Sequence, residues 1–334
     1  MQQRPVGESG ISVSEIGFGC WTMGGPSWAE GNPVGWADVD EGDVLAGIKA
    51  GLDAGVTHFD NADVYGNGRA ERMLRDCLSK LGVKASGLTI ATKVGWHRGT
   101  GAHAYEPHNI RHQCEQSLRN LGVEAIDIYY LHNDLWGDDG QPGNLPDAAE
   151  TMHTLKAEGK VRVIGQSAYS DAGFERSVGV LKPQVFQSWA SMLFDNFIRP
   201  GSRVQALMHD HTISFVAFSP LAQGLLLDKF DPENPPKFDK GDVRGGSEDF
   251  AQDRLRQIKP KLEDLKSRFG GSVEELASGA LRFVLGHEHV CSAIPGFRNE
   301  RQAACNVRAS DDAPFTEADL VFCRELFGGL QLRG

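Results

Sequence analysis

The chain has 334 residues, with 34 Lys and Arg against 45 Asp and Glu, a formal charge of −11. That acidity repels phosphate backbones and argues against nucleic acid as a partner, although a dinucleotide needs only a local basic patch. No apolar run approaches the roughly 18 residues of a membrane span, and the opening MQQRPVGESG lacks the apolar core of a signal peptide.

From the N-terminus, Arg4 to Val13 reads as a hairpin turning at Glu8-Ser9-Gly10, and a strand follows near Glu15–Gly19. Short β-branched runs then alternate with amphipathic ones. A helix over 43–54 stops at Gly55, strand 57–60 precedes helix 70–81, and strand 88–93 precedes helix 107–121, with Pro107 at its first turn and Gly122 at its stop. The alternation continues with strand 125–132, helix 145–158, strand 161–167, a helix around 171–180, strand 184–187, a helix near 202–210 and strand 213–218. A polar loop from Leu227 to Asp253, punctuated by prolines and glycines, is expected to lack a core of its own. Helices near 254–269 and 273–285, strand 289–294, and helices near 300–307 and 316–328 complete the chain.

Eight strands, each followed by a helix, predict a (β/α)8 barrel of α/β class with an N-terminal β-hairpin and an extra C-terminal helix. No linker interrupts the repeat, so one domain over 1–334 is expected. The six cysteines are scattered with no CxxC pair, which reads as reduced thiols in a cytoplasmic protein.

Barrel chemistry sits where strands end and βα loops begin. Asp60 ends the second strand, Tyr65 lies in the loop after it, Lys93 ends the third and His132 the fourth. A Lys or Asp closing an apolar strand needs a partner, because a lone buried charge is costly. Together these residues suit carbonyl reduction. A phenol is a poor acid, a nearby ammonium improves it, an aspartate holds the ammonium, and an imidazole binds the carbonyl oxygen. No side chain supplies the electrons, so a cofactor must.

Asp60-x-Ala62-x-x-Tyr65-Gly66, with Gly68 and Glu71 following, closely resembles the signature of the aldo-keto reductase superfamily, and Lys93 and His132 match the rest of that family's catalytic tetrad. The resemblance implies a nicotinamide site built from Gly19, Trp21, Asp60, Ser167 and Gln187, with Phe218 stacking where Tyr is common and Ala168 standing where Asn is usual. It also implies a pyrophosphate segment through Ser219, Pro220, Leu221, Gln223 and Gly224. Gly296, Arg298, Gln302 and Asn306 would hold the adenosine end, with Cys305 in place of an acidic residue. Arg298 can pair with a 2′-phosphate, which favours NADPH over NADH.

The six tryptophans are Trp21, Trp28, Trp36, Trp96, Trp136 and Trp189. Most follow barrel strands, so an aromatic pocket is expected, with Trp21, Trp96 and Trp136 as substrate contacts. His108/His112 and His287-Glu288-His289 lack the ligand count of a metal site, and no metal is expected. The leading expectation is reduction of a small carbonyl compound. An NAD(P)-dependent sugar or alcohol dehydrogenase, or a slow-turnover redox-sensing module like a channel subunit, are the alternatives. The sequence leaves monomer and homo-oligomer equally open. The 227–253 loop is expected either to fold over the cofactor or to be a passive insertion.

Overall fold

The computed structural model describes residues 1–29, 31–137 and 143–330. A hairpin of β1 (Gln3–Pro5) and β2 (Ser12–Ser14) precedes the barrel, paired antiparallel as Arg4↔Val13. The barrel strands are β3 (Phe18–Gly19), β6 (His58–Asp60), β7 (Thr89–Val94), β8 (Ile126–Leu131), β9 (Val161–Ser167), β10 (Val185–Trp189), β11 (Ser214–Phe218) and β12 (Val290–Ile294). They pair in parallel and in chain order from β3 to β12. Parallel bridges Ile16↔Ala293 and Gly19↔Gly296 join the first strand to the last and close the ring.

Helices α1 (Glu41–Asp53), α2 (Arg69–Lys80), α3 (Pro107–Leu121), α4 (Leu145–Ala157), α5 (Asp171–Leu181), α6 (Arg203–His211), α8 (Val273–Leu285) and α9 (Glu300–Val307) surround it. α7 (Gln252–Phe269) is inserted before α8, and α10 (Glu317–Phe327) is the extra C-terminal helix. Their ends follow local chemistry. Asp40 caps α1 through Gly42 N and Asp43 N, and Gly122 closes α3 in the left-handed region. Among the described residues, no helix is long and apolar enough to cross a membrane.

Inside the ring, Ala91, Ile128, Tyr130, Val163, Val185, Val216, Cys291 and Ile294 fill the bore, and Val6 and Val13 of the hairpin pack with them. The barrel is thus a packed core with its bottom plugged, and any cavity must open at the strands' C-terminal ends.

Two local differences from the sequence reading bear on that open end. The stretch after β3, where the sequence reading places no element, forms a 3-10 turn over Cys20–Gly24 and a small hairpin of β4 (Trp28–Ala29) and β5 (Asn32–Pro33). The 227–253 loop does have a nucleus. Phe230, Phe238 and Phe250 meet edge to face with centroids 4.9–6.3 Å apart, and Phe250 is buried. Three phenylalanines spread over twenty-odd polar residues carry no period, so the cluster exists only in three dimensions.

Candidate active site

Asp60, Lys93 and His132 stand at three consecutive strand ends because β6, β7 and β8 run side by side. Tyr65 is brought in by the tight turn after β6. Its neighbour Gly66 has φ +57°, and a Cβ there would lie 2.3 Å from Gly24 O. Only glycine lets the Tyr65 turn and the 3-10 turn touch backbone to backbone, which is the physical content of the Tyr-Gly pair.

Lys93 Nζ donates to Asp60 Oδ2 at 2.5 Å, to Asn61 O at 2.6 Å and to Tyr65 Oη at 3.4 Å. Gln187 Nε2 donates to the other Asp60 oxygen at 2.8 Å. The lysine is about 1 % exposed, so this charge is fully desolvated and its partners are obligatory. Burial pulls the Lys93 ammonium below its usual range while Asp60 opposes that shift. The Tyr65 phenol is pushed well above 10, first by burial and then by the Asp60 charge. The sequence reading had the ammonium easing the phenol toward ionisation. In the structure Asp60 offsets that ammonium at closer range, and desolvation dominates.

The Tyr65 and His132 rings lie 6.0 Å apart edge to face. Burial, then the Lys93 charge, then His97 hold His132 well below 6.5, so its imidazole is neutral at pH 7. Its Nδ1 is buried without a partner. An unpaired buried N–H costs more than an unpaired lone pair there, so the proton belongs on Nε2.

A cavity of about 1050 Å³ opens over these groups. Asp60, Tyr65 and His132 line it, and Lys93 lies just behind. Every residue expected at the cofactor also lines it, except Ser167. Ser167 is fully buried at the end of β9, and its Oγ has no partner. Arg298 N donates to Gln302 Oε1 at 2.9 Å, and Asn306 Nδ2 donates to Gly296 O at 3.2 Å, which shapes the far end. Lys229 sits at that end too. Burial, Arg244 and Arg298 all lower its ammonium, so three cations share one region.

Trp21 and Trp96 line the cavity as expected, and Trp28 and Trp36 join them. Trp136 does not. It is fully buried among Tyr105, Leu145 and Ala148, with the Arg176 guanidinium 4.8 Å over its ring. Asn144 N donates to Trp136 O at 2.9 Å, which ties the residue to the start of α4, and a position after a strand says nothing of that tie. The sequence reading missed His97, Tyr169, Val243 and Arg244, which also line the cavity. His97 and Tyr169 directly follow Trp96 and Ala168, so adjacency was the available signal. Arg244 and Val243 arrive from the long loop, where the available signal was the expectation that the loop folds over the cofactor. On the opposite rim, donor atoms of His209, Glu288 and His289 come within 4.8 Å of one another, outside the cavity. The sequence shows Glu288 and His289 as neighbours but carries no hint that His209 approaches them.

A closed (β/α)8 barrel whose open rim carries a buried Lys–Asp pair, a phenol and a neutral imidazole is the frame of a nicotinamide-dependent oxidoreductase. The chain belongs to the aldo/keto reductase family, whose model matches residues 15–326. Its relatives include the NADH-specific methylglyoxal reductase of Escherichia coli (strain K12), 26% identical over 99% of this chain and 100% of the relative. They also include a probable voltage-gated potassium channel subunit beta of Oryza sativa subsp. japonica, 27% identical over 96% and 94%. Among solved structures, the glycerol dehydrogenase of Gluconobacter oxydans is similar with a TM-score of 0.78 at 24% identity, covering 97% of this chain and 94% of that one. This last likeness is one of fold.

Proposed function

We propose that the protein reduces an aldehyde or ketone to an alcohol with NADPH, with Tyr65 as the general acid. The observation that carries this reading is the buried Asp60–Lys93–Tyr65 chain at the floor of the cavity, 2.5 Å and 3.4 Å between successive polar atoms. The residues fit a dinucleotide. The unpartnered Ser167 Oγ and the Gln187 amide would hold a carboxamide, and Phe218 would face the ring. The Gln223–Gly224 backbone would lie along a pyrophosphate, and Arg298, with Lys229 nearby, would meet a 2′-phosphate. When bound, the reduced nicotinamide supplies the electron pair as hydride.

The chain's own residues do the rest. His132 Nε2–H hydrogen-bonds the carbonyl oxygen and orients it. The Tyr65 phenol, kept protonated by burial, gives its proton to that oxygen as negative charge develops there. Lys93 Nζ then donates more strongly to the phenolate oxygen, with Asp60 compensating its charge. Run backward, the same atoms oxidise an alcohol, so the dehydrogenase alternative shares the site.

The second reading is a slow-turnover redox-sensing module. The likeness to the rice channel subunit supports it, and the tetrad is compatible with both. An assay of NADPH and NADH consumption against aldehydes, ketones and free sugars separates the readings. Sustained turnover with a carbonyl and NADPH is expected. Tight cofactor binding with turnover on no member of the panel would reject the reductase and favour the sensor.

A further inference from the structure

Arg244 belongs to the long 227–253 loop, yet its side chain serves the opposite wall. Its guanidinium lies 4.4 Å over Phe238 of its own loop and 4.5 Å over Trp36 of the segment that follows β3. It is about 9 % exposed and makes a bidentate pair with buried Asp242, Nε to Oδ1 at 2.9 Å and Nη2 to Oδ2 at 2.6 Å. The same two segments are joined by backbone. Gly35 and Asp242 form a parallel bridge, and Val243 N donates to Gly35 O at 2.9 Å. A Cβ on Gly35 would stand 2.3 Å from Gly25 O and from Ser27 N, so within its own segment Gly35 packs against the 25–27 backbone and admits no side chain.

From Trp36 the packing runs to the reaction centre. Trp36 and Trp21 meet edge to face at 5.5 Å, and Trp21 stacks on Tyr65 at 5.9 Å with 20° between the planes. Trp21 Nε1 also donates to Val34 O at 3.1 Å, which ties it to the same segment. A guanidinium held in plane by a carboxylate and pressed between two rings is a rigid spacer, worth more when desolvated than on a surface.

We propose that Arg244 is a positioning residue that couples cofactor loading to the substrate wall: it sets Trp36, and through Trp36 it sets Trp21 over Tyr65. The proposal rests on the reductase reading above. Phosphates bound beside Lys229 and Arg298 would hold the long loop, and with it Arg244, in the place against Trp36 that the structure shows. The coupling is reciprocal, because each ligand favours the arrangement the other needs.

The test uses Arg244→Met, Arg244→Lys and Trp36→Leu in the full chain. In steady state, Arg244→Met and Trp36→Leu should each raise the carbonyl substrate's KM on the order of tenfold. The Kd for NADPH measured without substrate should shift less than about threefold. Lysine, which keeps charge but neither stacks flat nor pairs bidentately, should not rescue. The double variant should be no worse than the poorer single one, since both break one link. Additive effects, an unchanged KM, or a loss confined to NADPH affinity would each overturn the proposal. Hydrogen exchange needs no turnover. NADPH should protect residues 31–36 in the parent and not in Arg244→Met, while residues 219–226 gain protection in both. Equal protection of 31–36 in both proteins would overturn the coupling even if the reductase assay succeeds. Absence of any turnover with this exchange pattern intact would fault the reductase reading alone.

Discussion

Desolvation decides the chemistry of the individual groups at the rim. Lys93 and Asp60 are almost wholly buried, and each is tolerable only beside the other, so removing one would strand the other's charge. Arg298 is different. It lines the cavity with its guanidinium in no ion pair among the described residues, which leaves its donor fork for a phosphate dianion. Arg298→Ala should weaken NADPH binding by about 1.5–3 kcal/mol, the range for charged hydrogen bonds, and leave NADH nearly unaffected. Titration of both cofactors by fluorescence reads this directly, and equal weakening of both would show that Arg298 does not read the 2′-phosphate. Much of this residue-level arrangement is legible in sequence because Asp60, Tyr65, Lys93 and His132 sit at strand ends, where position along the chain fixes position in space. Trp136 follows a strand too, but its indole is buried against Leu145 and Ala148 and serves the core instead.

At the scale of elements, the long loop changes the expectation most. Its composition reads either as a lid over the cofactor or as a passive insertion, without a core of its own, yet Phe230, Phe238 and Phe250 give it a nucleus, and Gly35 bridges to its Asp242. A segment with its own packing moves as a unit rather than as a loose chain. Residues 227–245 should therefore gain hydrogen-exchange protection as a block when NADPH binds, and their opening should limit turnover. A passive loop would exchange equally fast with and without cofactor. Protection confined to residues 219–226 would retain the pyrophosphate contact and reject the lid. The helices and strands themselves were readable because periodicity and caps are local. The loop's pairing with the β4–β5 segment was not, because it joins residues about two hundred positions apart with no shared pattern.

For the molecule as a whole, closing the ring buries groups that the open chain leaves in water. His58, at the start of β6, is fully buried beside Ser292, with Nδ1 3.1 Å from its Oγ. Burial lowers its imidazole from 6.5 to about 4, with the Asp60 charge opposing and Lys93 assisting. The unfolded chain then binds a proton between about pH 6.5 and pH 4 that the folded chain refuses. Stability is thus complete above pH 6.5 and falls as the pH drops through that window, by about 3 kcal/mol for a shift of this size. His58→Asn should lose less stability than the parent between pH 7 and pH 4.5 in urea unfolding, and equal losses would contradict the assignment. The barrel itself was visible in the alternation of strands and helices, whereas its plugged bottom and the buried histidine follow only from closure.

The central claim is that Tyr65 delivers the proton in a nicotinamide-dependent reduction, and Tyr65→Phe tests it most directly. The substitution removes one oxygen and keeps the ring that Trp21 and His132 pack against. With a carbonyl substrate that the parent turns over, kcat should fall on the order of 10²-fold or more, the scale of general acid catalysis. The Kd for NADPH, measured on the same protein, should stay close to the parent's. A variant that binds cofactor normally and turns over at nearly the parent rate would contradict the account.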